Sequence, residues 1–213
     1  MGQKIAVLDY GMGNLRSVSK AIEHVAPGAE VRVTDDYEWI AAADRIVFPG
    51  QGAARDCMAA IGQHHLNQAI REAVQSKPFL GICMGLQVLM DFSEENEGTD
   101  LLGILPGKVL RFADDMPGDN DLPLKIPHMG WSPVEQVGSH PLWEGIEDAS
   151  RFYFVHSYYV RPEDEGLVAG VTEYGVRFAS VLARDNLFAV QFHPEKSAEA
   201  GLRLLQNFIN WEI

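Results

Sequence analysis

Cysteine is scarce in this chain. Cys57 and Cys83 are the two among 213 residues, too few to suggest a disulfide framework. Positive charge is scarce as well: 17 Lys and Arg stand against 30 Asp and Glu, for a net charge of −13. That balance argues against a nucleic-acid partner, which calls for a basic face. No apolar stretch approaches the roughly 18 residues needed to span a bilayer. The N-terminus, Met1-Gly2-Gln3-Lys4-Ile5, runs directly into a strand-like apolar run with no secretory signal. No internal repeat, low-complexity tract or linker interrupts the sequence. A cytoplasmic protein folded as a single domain over residues 1–213 is therefore expected.

Cofactor and metal signals are also missing. Gly11 and Gly13 follow a strand-like run, but Arg16 stands where a dinucleotide fingerprint places its third glycine. The segment Tyr10–Asn14 reads instead as a tight turn that presents Asn14. His64 and His65 have no carboxylate or cysteine at ligand spacing, so no metal site is expected. Cys57 lies in a helical pattern without flanking glycines and reads as packing. The acidic clusters Asp91–Asp100, Asp114–Asp121 and Glu163–Glu165 sit among Gly, Pro or Asn and read as solvated loops.

What is present begins with 46% hydrophobic residues, enough for one sizeable core. Lys4–Asp9, Glu30–Thr34 and Arg45–Phe48 read as strands that alternate with helical patterns. One such pattern runs from Ala54 to Gln75, with a break expected between Gly62 and His65. After Phe92, strand-like pieces follow one another: Lys108–Phe112, Trp131–Val137, Arg151–Val160, Val168–Val171, Phe178–Ala183 and Leu187–Phe192. An amphipathic helix closes the chain. The expected fold is α/β, a mostly parallel central sheet with helices on both faces plus a small antiparallel β extension.

Ten residues, Pro78–Gln87 (P-F-L-G-I-C-M-G-L-Q), stand out. An apolar strand meets a helical pattern at Cys83, with Gly81 and Gly85 at minus two and plus two. That is the spacing of a nucleophile elbow. Glycines suit it because the chain reverses within a few residues and leaves no room for a Cβ on either side. A thiol there would lie over a helix N-terminus, which favours thiolate. By itself the pattern also fits a buried cysteine between packing glycines.

Downstream, Leu187–Phe192 runs into His193-Pro194-Glu195. Pro194 biases His193 toward extended backbone, where residues two apart face the same side. Glu195 can then accept from one imidazole nitrogen and leave the other outward, the orienter and base of a Cys-His-acid triad. By itself this tripeptide also fits a polar turn. Pro49-Gly50-Gln51-Gly52 ends a third strand and offers backbone N–H groups for an oxyanion, beside that of Met84. Together the three segments point to a thiol acyl-transfer enzyme.

G-I-C-M-G-L-Q with Q-F-H-P-E resembles the class I glutamine amidotransferases, which have a flavodoxin-like fold. Asp9–Val18, Pro127–Trp131, Phe152–Tyr158 and His193–Ser197 resemble the branch that supplies ammonia to a (βα)8-barrel cyclase in histidine biosynthesis. The resemblance spans the chain from Ile5 to the last helix. It implies Cys83 as nucleophile, His193 as base and Glu195 as its orienter. It also implies oxyanion N–H groups from Gly52 and Met84, and contact with glutamine from Gln87, Gly50, Ser157 and Tyr158. Asn14, Trp131, Tyr153 and Lys196 would face the barrel partner, and no cofactor is implied. Gln51 departs from the family, which often carries Val there. Alternatives are an amidotransferase subunit of another synthase, a non-catalytic binding subunit with the same fold, or a cysteine hydrolase acting alone. Leu86 before Gln87 disfavours the anthranilate type, which usually has His there.

Overall fold

Four short apolar runs and the more polar edge strand Glu30–Thr34 become the parallel part of the molecule, seen in a computed structural model that describes residues 2–116 and 123–213. The first half alternates strand and helix, with two helices in succession before its last strand. It runs β1 (Lys4–Leu8), α1 (Leu15–Val25), β2 (Glu30–Thr34), α2 (Tyr37–Ala42), β3 (Arg45–Gly50), α3 (Ala54–Gln63), α4 (Leu66–Ser76), β4 (Phe79–Cys83) and α5 (Met84–Gln87). Strands then dominate: β5 (Phe92–Ser93), β6 (Thr99–Asp100), β7 (Gly107–Arg111), β8 (His128–Pro133) and β9 (Glu135–Gln136). The chain continues with β10 (Arg151–His156), β11 (Tyr158–Pro162), β12 (Val168–Glu173), β13 (Arg177–Arg184), β14 (Leu187–Val190) and α6 (Ala198–Asn210).

The main sheet has the order β2-β1-β3-β4-β14-β13-β11-β7-β5-β6, with β12 joined to β13 and β9 joined to β12. From β2 to β14 every pairing is parallel. β13 and β11 continue it antiparallel. A separate antiparallel pair, β8 with β10, forms a small second sheet. Alternate residues of the central strands feed two cores: Ala6, Leu8 and Phe48 pack with Ile61 and Ile70 of α3 and α4 on one face. Ile5, Val7 and Val47 pack with Ile22 of α1 and Leu204 of α6 on the other. β4 is buried along its whole length, as expected of a strand covered on both faces.

The helix over 54–75 does break where Gly62 suggests. His65 adopts a left-handed φ of 56° between α3 and α4. Two expectations need correction. The strand expected over Arg151–Val160 is two strands in different sheets, parted at Ser157. The helix expected after Cys83 is a single turn, Met84–Gln87, whose residues are all buried. So few aligned peptides make only a small dipole, and any stabilisation of the sulfur must come from specific donors.

The acidic segment Asp91–Asp100 is also more than a solvated loop. Asp91 accepts from Gly107 N, Glu94 from Arg111 N and Glu95 from Ala54 N. Of Asp114–Asp121, residues 117–121 lie outside the described residues. Among the described residues no helix is long and apolar enough to cross a membrane.

Candidate active site

Three parallel strands end together. Gly50 is paired with Cys83 across β3 and β4, and Val190 with Ile82 across β14 and β4. Their carboxyl ends form the crevice where open α/β sheets place ligands. Cys83 has φ 56° and ψ −109°, a backbone strained for a side chain and of the kind found at functional turns. The flanking glycines answer to close approach: a Cβ on Gly85 would collide with the Phe48 carbonyl, and one on Gly81 would lie 2.9 Å from the Gly85 oxygen.

Past β14, Pro194 leaves His193 extended, at φ −105° and ψ 95°. Backbone bonds fix it further, since His193 N donates to Tyr153 O at 2.9 Å and Ser197 Oγ donates to His193 O at 2.6 Å. Its Nδ1 meets Glu195 Oε1 at 2.9 Å, with both side chains almost fully buried. Its Nε2 is buried without a hydrogen-bond partner, and the Cys83 sulfur is the neighbour that most favours its protonation. Burial opposes the imidazolium, but the Cys83 sulfur and then Glu195 outweigh it and push His193 up to about 10.

Cys83 and His193 share a cavity of about 420 Å³ with Gly52, Met84, Gln87 and Glu95, a size typical of small-molecule sites. Ser157 and Tyr158 also lie on its wall, as does Lys196. Gly50, expected at the substrate, does not line it. It sits behind the wall, where a Cβ would strike Tyr10 Oη and lie 2.7 Å from Met84 Cβ. Gly52 has φ 97°, which favours glycine. Cys57 is buried as expected and also donates from Sγ to Gln51 O at 3.3 Å. Burial pushes its thiol up to about 12. With the Gln51 carbonyl drawn to Cys57, the Gly52 N–H of the same planar trans peptide points the opposite way.

Gln87 is buried, and its Nε2 lies 3.1 Å from both Tyr158 O and Gln191 Oε1. Gln191 Nε2 in turn lies 3.8 Å from Cys83 Sγ. His156 Nδ1 meets Tyr158 O at 2.7 Å, and His156 Nε2 meets His128 Nδ1 at 3.0 Å. Gln191, His156 and Glu95 were missed from sequence. Gln191 lies inside a motif whose histidine and glutamate drew attention, and His156 looks like one more residue of an alternating strand. Glu95 reads as part of an acidic loop.

Of the residues expected at a partner face, Trp131 is exposed and paired with Tyr153 across β8 and β10. Lys196 Nζ lies 6.0 Å from the centre of the Tyr153 ring. Expected at the partner face, it reaches the cavity wall as well. Asn14 precedes α1, half-buried, with no capping bond from its side chain. His64 has a carboxylate neighbour after all, Asp35 at 2.8 Å, but no group of three metal-ligating side chains occurs among the described residues.

Comparison with known proteins gives a consistent result. The family described as glutamine amidotransferase class-I matches residues 6–211. A protein of Thiobacillus denitrificans named imidazole glycerol phosphate synthase subunit HisH is 60% identical over 99% of this chain and 92% of its own. The protein of the same name from Aromatoleum aromaticum is 59% identical, over 97% of this chain and 98% of its own. Among solved structures, PurLQS from Thermotoga maritima superposes with a TM-score of 0.74 at 19% identity, covering 99% of both chains. That likeness speaks to the fold.

Proposed function

The chain belongs to the class I glutamine amidotransferases and, within them, to the HisH subunits of imidazole glycerol phosphate synthase, and from that premise we propose how it works. Cys83 attacks the side-chain carbonyl of glutamine, and the resulting oxyanion is held by the N–H groups of Gly52 and Met84. His193, as imidazolium, gives its proton to the leaving nitrogen, which departs as ammonia. A cysteinyl thioester remains. His193 then takes a proton from water, which attacks the thioester and frees glutamate. Glu195 holds the imidazole by Nδ1 and stabilises its charge.

The observation that carries this reading is the Cys83 sulfur and His193 in one cavity at converging strand ends, with Glu195 bonded to the far side of the imidazole. Glu95 is half-buried on that wall, and burial raises its carboxyl above the usual range. It is suited to meet the α-ammonium of glutamine, an ion that would restore its charged form. Ser157, Tyr158 and Gln87 would hold the remainder of the substrate.

The ammonia passes to a (βα)8-barrel cyclase subunit, which makes imidazole glycerol phosphate and AICAR in histidine biosynthesis, in a cytoplasmic heterodimer. In bulk water near neutral pH ammonia is mostly protonated and not nucleophilic, so release into a passage that excludes water keeps it reactive. The test is Cys83→Ser in the reconstituted complex. Glutamate release should vanish while synthase turnover on added ammonia persists. Near-full glutaminase activity in the variant would refute the assignment.

A further inference from the structure

We propose that Gln191 is a catalytic residue that holds the Cys83 sulfur as a thiolate, its amide set in place by a buried chain reaching the two-stranded sheet. The chain's sense follows from a single atom. The Tyr158 carbonyl oxygen can only accept, and two groups meet it, Gln87 Nε2 at 3.1 Å and His156 Nδ1 at 2.7 Å. Gln87 must therefore turn its amide nitrogen that way, and the same nitrogen donates to Gln191 Oε1 at 3.1 Å. With its oxygen so occupied, Gln191 presents Nε2 to Cys83 Sγ at 3.8 Å. Gln191 is 0% exposed and Gln87 3%. A buried amide donor needs an acceptor. A thiol sulfur is a weak acceptor, whereas an ionised one is a strong one. When the Cys83 proton moves to His193, the charge left on sulfur meets the Gln191 N–H.

The other arm is fixed by the same logic. His156 donates through Nδ1, so its neutral ring accepts at Nε2, and His128 Nδ1 donates to it at 3.0 Å. His128 Nε2 then accepts from Ser132 Oγ at 2.8 Å. Ser132 lies in β8, next to the exposed Trp131. Hydrogen bonds thus run without a gap from the two-stranded sheet to the nucleophile, and His128 and His156 are positioning residues for Gln191.

The proposal rests on the nucleophilic role of Cys83 given above, and the experiment separates the two. Iodoacetamide alkylation of Cys83, followed by peptide mass mapping, is measured at pH 7 on the full chain and on Gln191→Glu and Gln191→Met. Either folded variant should react about tenfold more slowly. In the complex, the same variants should lose kcat with glutamine KM held within about threefold. His128→Phe, far from the sulfur, should slow alkylation by about threefold. On the unmutated chain, the Gln191 side-chain amide protons should shift in NMR spectra once Cys83 is alkylated, which requires no variant to fold. Unchanged alkylation in the Gln191 variants, or an unmoved amide signal, would overturn the proposal. An unchanged rate in His128→Phe would overturn the link to the sheet. An unmutated Cys83 that fails to react would instead count against its role as nucleophile.

Discussion

Lys196 holds its ammonium 6.0 Å from the centre of the Tyr153 ring, and Tyr153 faces Trp131 across the small sheet. A cation, a phenol and an exposed indole thus form one stripe that begins at the cavity wall. Exposed aromatic residues are what interface centres favour, and a lysine beside them suits the charged rim. Lys196→Ala should weaken binding of the proposed barrel subunit and make that binding less sensitive to salt, because one charge is lost from the encounter. Isothermal titration at low and high ionic strength checks it. Equal affinity for variant and parent at both salts would remove Lys196 from the interface.

Glu195 has one oxygen on His193 Nδ1 at 2.9 Å, and its side chain is 1% exposed. Glu195→Gln keeps the shape but replaces the carboxylate that steadies the imidazolium. In serine-based triads the comparable loss is about 10⁴-fold. A thiol gives up its proton more readily than a serine hydroxyl and needs less help, and the expected loss here is on the order of 10²-fold in kcat with little change in KM. Steady-state glutamate release measures both. A rate within twofold of the parent would make Glu195 a turn residue only.

The parallel half of the fold was legible in the sequence because most of its strands are continuous apolar runs between helical patterns. The pairs Gly81/Gly85 and His193/Glu195 were legible because close approach and extended geometry leave few residue choices. Ser157 was not. The alternation in Phe152–Val160 continues through it, and only long-range pairing sends β10 to one sheet and β11 to the other. Gln191 and His156 escaped for a related reason. Their partners lie on other elements, at Cys83 and at His128, and no local spacing announces a contact made across the fold.

Acid should loosen the protein through His128 and His156. Burial lowers His128 to about 4, and burial with repulsion from His128 and His193 lowers His156 to about 3. Unfolded, each would titrate near 6.5. Below that value the unfolded chain binds protons that the folded chain refuses, so stability falls with falling pH. Each histidine contributes about 1.4 kcal/mol per pH unit through this window. Urea midpoints at pH 7 and pH 5.5 test it, with His128→Phe showing a smaller drop than the parent. A midpoint that does not move between these pH values in the parent would contradict buried neutral histidines.

Two glycines should respond to alanine with opposite signs. Gly85 sits against the Phe48 carbonyl, and a Cβ there would overlap that oxygen. The oxygen belongs to β3, paired with β4 on one side and next to β1 on the other. It has no room to retreat without moving the centre of the sheet. Overpacking of this kind costs about 1–3 kcal/mol, occasionally more, and the shift would fall on the elbow itself. Gly62 lies in α3, exposed, with nothing within 4 Å of an added Cβ. There alanine should stabilise by roughly 0.5–1 kcal/mol, because glycine in a helix loses more backbone freedom on folding. Urea unfolding of both variants, with Cys83 alkylation as a second readout, distinguishes the sites. Gly85→Ala should unfold earlier and react more slowly, and Gly62→Ala should unfold later with an unchanged reaction. If Gly85→Ala matched the parent in both, the elbow would not need its second glycine, and the close packing of Cys83's turn against β3 would not be what positions the sulfur.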